Sequence, residues 1–175
     1  MDHLIEKFIS SKVAFSGRIL KVNTDTVQLP NGKEATREVV LHPGAIAVVP
    51  ILDDGSIVLV RQYRYPVGVT LLEIPAGKLD AGENPDDCVL RELKEETGYI
   101  PGKIHKLASI FTTPGFTNEV IHLYVAEDLK LATQCLDEDE FIAVENYTRE
   151  QVKAMLADGI INDAKTMLGL LLAGL

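Results

Sequence analysis

Branched apolar side chains recur among polar ones through the first forty positions, a composition typical of β-strands. Turn-forming residues interrupt this pattern, most clearly at Pro30-Asn31-Gly32. The stretches between the turns are predicted as strands at 13–19, 22–29 and 34–41. Residues 1–42 are therefore expected to form an N-terminal β-rich element.

The apolar residues form longer runs from position 44 onward. A continuous apolar run at 44–51 has the character of a buried strand, and a turn at Asp53-Asp54-Gly55 separates it from a second strand at 57–65. This pair is predicted as a β-hairpin. Shorter apolar stretches predict further strands at 71–74, 104–111, 120–126 and 141–145.

The strongest helix signal begins at Asn84, a favourable N-cap, with Pro85 at the first helical position. Gly98 ends this helix as a C-terminal glycine. Two further helices are predicted at 148–156, capped by Thr148, and at 162–172. Strands around one central helix, followed by helices, favour an α+β sandwich of sheet and helices.

Composition and charge narrow the function classes. The 175 residues, 46% of them hydrophobic, suit one domain or one domain with a short appended element. The net charge of −9 argues against nucleic acid as the main partner, although a bound metal ion would let a small phosphate substrate bind. No membrane-spanning run and no signal-peptide pattern are visible, so a cytoplasmic location is expected. Cys88 and Cys135 are predicted to be reduced packing residues.

Three glutamates of the predicted central helix stand at spacings of three and four residues. Glu92, Glu95 and Glu96 therefore fall in one arc of the helix, where like charges repel. A divalent cation with oxygen ligands would remove that repulsion. Val89 and Leu93 border the arc, so Glu96 is expected at the edge of the core and partly desolvated.

A solvated acidic helix face is the simpler interpretation of three glutamates alone. That interpretation leaves the loop containing Gly77 and the presence of Arg91 beside the cluster unexplained. Arg91 is either an ordinary surface charge or a brace for Glu83 or for a metal-binding glutamate through a charge-assisted hydrogen bond.

The segment 77–99 resembles the Nudix box. Leu93 and Tyr99 fill its hydrophobic positions, although Tyr99 is bulkier and more polar than the usual aliphatic residue. Nine specified positions at fixed spacing are far more specific than a lone glycine-rich loop. The other seven positions are all filled, by Gly77, Glu83, Arg91, Glu92, Glu95, Glu96 and Gly98.

The resemblance implies the Nudix-type α/β/α sandwich, in which a loop, a helix and a second loop hold a divalent metal ion. It makes Glu92 and Glu96 metal ligands, with the backbone carbonyl of Ala76 beside them. Glu95 and Arg91 then belong to the catalytic group, Glu95 as a supporting or alternative ligand. The expected ion is Mg²⁺, with Mn²⁺ or another divalent cation as the alternative.

Other segments resemble the ADP-ribose pyrophosphatase branch of the Nudix hydrolases. Pro114 lies sixteen residues beyond Gly98, where that branch carries a proline. The likeness extends over 34–172 and rests on segments 61–64, 72–83, 113–119, 136–141 and 162–166.

Residues for substrate binding follow from this second resemblance. Arg64 would pair with a diphosphate oxygen, which suits a guanidinium group. Arg37 resembles an arginine near the base, with an edge-strand charge as an equally good alternative. Glu119 would accept hydrogen bonds from ribose hydroxyls. The implied set is Arg37, Arg64, Lys78, Thr113, Gly115 and Glu119.

The acidic loop 137–140 is, on its charge alone, a solvated loop. The resemblance implies instead that a glutamate from this loop is the general base that takes a proton from the attacking water. By motif position the base is Glu138, and Glu140 is a further metal ligand. A shift of two residues in this assignment stays open.

These expectations combine into one function. The chain is predicted to be a Mg²⁺-dependent hydrolase that converts ADP-ribose to AMP and ribose 5-phosphate. The alternatives are hydrolysis of another nucleotide sugar or dinucleotide, and a non-catalytic nucleotide-sugar-binding regulatory module, which would be expected to lose box glutamates. The resemblance also implies a homodimer with exchanged N-terminal strands, with residues 1–42 as dimerisation element and 43–175 as hydrolase domain.

Overall fold

The structure of the chain is a computed structural model that describes residues 2–175. A turn of 3-10 helix at Asp2–Leu4 comes first. The strands are β1 (Lys7–Ser16), β2 (Lys21–Gln28), β3 (Glu34–Leu41), β4 (Ala45–Pro50), β5 (Ile57–Arg64), β6 (Val69–Glu73), β7 (Ala76–Lys78), β8 (Tyr99–Ile100), β9 (Lys103–Phe111), β10 (Val120–Glu127), β11 (Lys130–Leu131) and β12 (Ile142–Tyr147). The α-helices are α1 (Pro85–Thr97), α2 (Arg149–Ala157) and α3 (Ala164–Leu172).

The chain forms two compact units. The first comprises the residues up to Gly44 together with Phe111–Val120, and the second comprises Ala45–Ile110 and Ile121–Leu175. The domain boundary predicted after residue 42 stays a prediction.

The first unit contains an antiparallel sheet in the order β1-β2-β3. Strands β2 and β3 lie where the sequence predicts them, whereas β1 begins at Lys7 instead of position 13. All ten residues of β1 are exposed, so its early part has no buried face to give an apolar pattern. Backbone pairing with β2, from Lys7 opposite Gln28 to Ser16 opposite Lys21, is what makes it a strand.

Strand β4 is the centre of the second unit. It lies in a sheet with the order β7-β4-β10-β9, where it runs parallel to β10. Ile46 and Val48 contribute to a core cluster with α1, while Ala47 and Val49 contribute to a second cluster with β5, β6, α2 and α3. Burial on both faces explains why β4 reads as a continuous apolar run.

The predicted hairpin between β4 and β5 is wrong. The turn itself is present, because Leu52 N–H donates to the Ser56 carbonyl at 2.8 Å and Gly55 has a φ of 83°. However, β5 belongs to another sheet, with the order β12-β5-β6, and a single bridge between Ile51 and Ile57 is all that links the two strands. A turn signal specifies a reversal of the chain, whereas burial of both faces of β4 decides its partners.

The helices begin and end close to the predicted positions. Asn84 caps α1 by accepting from Asp86 N–H at 3.0 Å, and Gly98 follows in the left-handed conformation with a φ of 72°. Thr148 forms a capping box with Gln151 at the start of α2. Asp163 caps α3, so that helix starts two residues later than predicted.

Two further features bear on the expectations from sequence. No helix among residues 2–175 is both long and apolar enough to cross a membrane. Both cysteines are free thiols, but only Cys88 is buried. The packing role predicted for Cys135 is wrong, because its backbone N–H, bonded to the Glu95 carbonyl at 3.1 Å, makes the contact and its side chain stays exposed.

Candidate active site

The box begins with a close approach between Gly77 and helix α1. Strand β7 pairs with β4, with Gly77 opposite Ile46. A Cβ atom on Gly77 would lie 1.8 Å from the carboxyl carbon of Glu92, so any side chain there would displace that glutamate. Gly77 is therefore needed because the Glu92 carboxylate packs directly on the backbone of β7.

Arg91 connects three glutamates. Its Nε and Nη2 donate to the two oxygens of Glu83, each at 3.0 Å, and its Nη1 donates to Glu92 at 2.8 Å and to Glu95 at 3.0 Å. These bonds lower the pKa of Glu83 to about 2. Glu83 also accepts from Asp80 N–H at 2.9 Å, which closes the loop before α1. The contact predicted between Arg91 and Glu83 is thus present.

Glu96 is the carboxylate that lacks such compensation. It is 3% exposed, and of the residues described it accepts a hydrogen bond only from Ala76 N–H, at 3.0 Å. Desolvation is the main cause that raises the pKa of Glu96 to about 8, and the negative charges of Glu92 and Glu140 raise it further. The expected position of Glu96 at the edge of the core is confirmed.

This chemistry fits a divalent cation. Burial, with the charges of Glu95 and Glu140, also raises the pKa of Glu92, although Arg91 opposes the shift. Clustered carboxylates whose ionisation is disfavoured are stabilised by a hard cation. No three His, Cys, Asp or Glu side chains in 2–175 form a metal-binding group. Mg²⁺ commonly uses one or two carboxylates and completes its coordination with water and substrate phosphates.

The acidic loop is anchored on the C-terminal end of α1. Ala132 N–H donates to the Gly98 carbonyl at 2.6 Å, and the Gln134 side-chain amide donates to the Glu96 carbonyl at 2.6 Å. A Cβ on Gly98 would approach the Ala132 oxygen to 3.0 Å, so the glycine also makes room for this loop. Beyond the anchor, Glu138 is exposed and Glu140 is half-buried.

Arg64 lies in a charged cluster that was not anticipated. Its Nε and Nη2 donate to both oxygens of Glu73, at 2.7 and 2.8 Å. Lys165 donates to Glu73 as well, and to Asp163 at 3.0 Å. Sequence reasoning missed Glu73 and Lys165. The available signal was a lone charge inside the apolar segment 71–74.

Thr113, Gly115 and Glu119 belong to the first unit. Glu119 accepts from the Thr112 hydroxyl at 2.7 Å, and its other oxygen lies 3.4 Å from Nδ1 of His42. The Thr113 carbonyl accepts from two N–H groups of its own loop, those of Phe116 and Thr117, each at 3.2 Å. Gly115 is exposed. The substrate roles of these residues stay predictions.

Arg37 and Lys78 complete the predicted set. Arg37, also in the first unit, donates through Nε to Glu6 at 3.0 Å and through Nη2 to the same carboxylate at 2.5 Å. Lys78, in the second unit, pairs with Ala45 through the backbone of β7 and has an exposed side chain. Arg37 is therefore engaged in an ion pair, and the role of both residues towards a substrate stays a prediction.

The fold and the box residues define the class of protein. The NUDIX domain matches residues 41–168, and the nucleoside diphosphate sugar hydrolase N-terminal domain matches residues 6–40. The chain belongs to the Nudix family, and its fold is the expected α+β Nudix sandwich. A solved structure described as an ADP compounds hydrolase has the same fold, with a TM-score of 0.86, 24% identity, and coverage of 96% of this chain and 91% of that one.

Particular relatives are similar over most of the chain. An ADP-ribose pyrophosphatase of Bacillus subtilis is 44% identical, with 95% of this chain and 91% of the relative covered. A methanol dehydrogenase activator of Bacillus methanolicus is 46% identical, with 93% and 89% covered. A GDP-mannose pyrophosphatase of Yersinia enterocolitica is 37% identical, with 71% and 70% covered.

Proposed function

We propose that this Nudix hydrolase cleaves the diphosphate of ADP-ribose with the help of Mg²⁺, releasing AMP and ribose 5-phosphate. The observation that carries the metal-dependent chemistry is Glu96, a carboxylate that is 3% exposed and has no cationic hydrogen-bond partner among residues 2–175. The substrate is supported by the 44% identity with the Bacillus subtilis ADP-ribose pyrophosphatase.

Each box residue has a distinct part in this proposal. Glu92 and Glu96 hold the cation together with the Ala76 carbonyl, and Glu140 is a further ligand. When bound, the cation neutralises charge on the diphosphate and orients it for attack. Arg91 keeps Glu92 in place, since its Nη1 donates to that carboxylate at 2.8 Å.

Two residues outside the box complete the mechanism. Glu138 accepts a proton from the attacking water as general base, and its exposure leaves it open to solvent. Arg64 donates to a diphosphate oxygen. Attack of water on one phosphorus breaks one P–O bond of the diphosphate, and the proton ends on Glu138 before it is released.

A substrate panel tests the proposal. ADP-ribose, NADH, GDP-mannose, UDP-glucose, diadenosine polyphosphates and a nucleoside triphosphate are incubated with Mg²⁺ and then with EDTA, and the products are separated by chromatography. We expect AMP to be released fastest from ADP-ribose and EDTA to abolish the reaction. A different best substrate would keep the Nudix chemistry and overturn the ADP-ribose assignment.

Metal binding is checked without turnover by the effect of Mg²⁺ on the melting temperature. A ligand that binds the folded state raises this temperature, so Mg²⁺ should stabilise the wild type but not Glu96→Gln. Glu150→Gln, which alters an exposed carboxylate in the first turn of α2, is the matched control and should respond like the wild type. An equal response of Glu96→Gln would contradict the metal site.

A second candidate function is activation of another enzyme. It is favoured by the 46% identity with the Bacillus methanolicus activator, which is close to the identity with the pyrophosphatase. Identity alone does not separate the two functions. Filling of every fixed box position favours hydrolysis, and absence of metal-dependent turnover on the whole panel would favour the activator or a binding module.

We propose that the chain is a homodimer with exchanged N-terminal strands. The support is β1, which is an edge strand with large apolar residues exposed, among them Phe8 at 66% and Phe15 at 59%. Exposed apolar edge strands are usually covered by another chain. The two free thiols also agree with the proposed cytoplasmic location.

Light scattering coupled to gel filtration tests the dimer. The wild type should have twice the mass of one chain at micromolar concentration. Phe15→Asp should yield a folded monomer, because it places a charge in the apolar strand, whereas Lys12→Asp, a charge change on the same strand, should remain dimeric. A monomeric wild type would contradict the proposal.

A further inference from the structure

Arg64 is held by one edge of its guanidinium group. Both oxygens of Glu73 accept from it, Oε1 from Nε and Oε2 from Nη2, in the bidentate arrangement that fixes the plane of the group. Within residues 2–175, Nη1 takes no hydrogen bond. The side chain is 37% exposed, whereas that of Glu73 is 1% exposed. The open Nη1 edge is therefore available to a ligand.

Glu73 itself has little freedom to move. Lys165 donates to its Oε2 and also to Asp163, the N-cap of α3. The next backbone N–H along β6, that of Ile74, donates to the Thr166 hydroxyl at 3.0 Å. The carboxylate and the adjoining backbone are thus both bonded to the start of α3, so the orientation of Arg64 is fixed from below.

Stability alone does not account for this cluster. Two charges buried together seldom stabilise a fold more than apolar residues of the same size would. The desolvation of Glu73 raises its pKa, but the hydrogen bonds and charges of Arg64 and Lys165 bring the pKa below its usual value. The carboxylate is therefore kept ionised at a place where burial opposes ionisation, which preserves a charged partner for Arg64.

The location of Arg64 relates it to the box. The charge of Arg64 acts on the Glu96 carboxylate strongly enough to lower its pKa, against the larger effect of desolvation. A diphosphate bound to a cation at Glu96 would therefore lie within the field of this guanidinium. A fixed guanidinium loses less side-chain freedom on binding than a mobile one.

We propose that Glu73 is a positioning residue for the diphosphate: it holds the Nε–Nη2 edge of Arg64 so that the Nη1 edge is presented to a phosphate oxygen. This rests on the proposed function, in which Arg64 binds the diphosphate. Lys165 contributes by fixing Glu73 and does not itself contact the substrate.

A double-mutant cycle tests this inference, with Glu73→Gln, Arg64→Ala and the combined variant. Loss of the fixed orientation costs about the ordering of one side chain, so Glu73→Gln should raise KM for ADP-ribose roughly tenfold. The value of kcat should stay nearly constant, as is typical for loss of uniform binding. In the Arg64→Ala background, Glu73→Gln should have no further effect. An independent, additive effect would mean that Glu73 has a merely structural role and would overturn the proposal.

The same strand offers a matched control. Arg61 of β5 donates through Nε and Nη2 to both oxygens of Glu145, at 2.6 and 3.0 Å. Because Arg61 and Arg64 are three residues apart on one strand, they point to opposite faces. Glu145→Gln removes an equivalent ion pair and should leave KM unchanged. An equal rise in KM for Glu145→Gln would overturn the proposal.

Two further measurements cover failure of a variant or of the substrate. If Glu73→Gln does not fold, Arg64→Lys keeps the charge but lacks the fork, and an unchanged KM for it would overturn the proposal. If the wild type hydrolyses none of the panel, the proposed function fails, and calorimetric titration with inorganic pyrophosphate decides the positioning role. Pyrophosphate should bind the wild type more tightly than Glu73→Gln or Arg64→Ala, and equal or absent binding would overturn it.

Discussion

Two glutamates of the second unit are almost completely buried, and the protein treats them in opposite ways. Glu73 is 1% exposed and Glu96 is 3% exposed. Glu73 is bonded to two cationic side chains, and its pKa lies below the usual value. Glu96 accepts one backbone N–H and is close to other carboxylates, and its pKa is raised to about 8.

The difference teaches that burial alone does not define the role of a carboxylate. A buried charge with its partners inside the chain is complete without a ligand. A buried carboxylate without them is costly to ionise and gains most from a cation that arrives from solution. The comparison therefore separates a group that maintains the site from a group that performs its chemistry.

The largest effect is expected from Glu96→Gln on turnover. Loss of a metal ligand removes several kcal/mol of charge stabilisation, so kcat for ADP-ribose should fall by about a thousandfold. The fold should be retained, because glutamine can accept the Ala76 N–H bond. Steady-state kinetics and circular dichroism are the measurements. Activity near the wild-type value would mean that Glu96 is not a metal ligand.

Glu73→Leu should instead act on stability. Removing one partner of a buried ion pair leaves Lys165 and Arg64 without their carboxylate, and such changes cost about 3–5 kcal/mol. The free energy of unfolding, measured with urea, should fall by about this amount, while Glu96→Gln should not lower it in metal-free buffer at pH 8. Equal destabilisation by both variants would remove the contrast between the two sites.

The pH dependence of stability separates the two carboxylates more finely. The folded-state pKa of Glu96 is raised from 4.5 to about 8, so the folded state binds the extra proton between these values. Its contribution to stability is full below pH 4.5 and is lost as pH rises to about 8. Urea midpoints of the metal-free protein should decline over this range, and Glu96→Gln should flatten the decline. A decline identical in both proteins would exclude Glu96 as its cause.

The smallest effect is expected from Glu140→Gln. The negative charge of Glu140 raises the pKa of Glu96, although less than desolvation does. Removing it should move the upper end of the stability decline to lower pH in metal-free buffer. Carboxyl carbon chemical shifts in an NMR titration measure this directly. No movement would show that the acidic loop does not act electrostatically on Glu96.

Much of the site could be predicted from sequence because the Nudix box is local. Its residues lie on one loop and one helix, so spacing brings Glu83, Arg91 and the glutamates of α1 together. The burial of Glu96 followed from the same helical geometry, since Val89 and Leu93 are core residues. Helix α1 itself begins and ends with recognisable capping residues.

The parts that could not be predicted depend on contacts between distant segments. Glu73 and Lys165 are 92 residues apart, and no pattern in either segment specifies the other. The partners of β4 were wrong for the same reason, since a turn signal carries information about its neighbours alone. Strand β1 escaped correct prediction because its residues have no buried face.

The parallel pairing of β4 with β10 has a consequence for how the chain folds. In that pair Ala45 lies opposite Ile121, so the central contact of the second unit joins positions 76 residues apart. Such long-range pairing makes folding slow, because a large loop must close before the contact forms. During synthesis β4 leaves the ribosome well before β10, and until then its two apolar faces have incomplete partners. The order of synthesis thus places the most aggregation-prone strand early and the strand that protects it late.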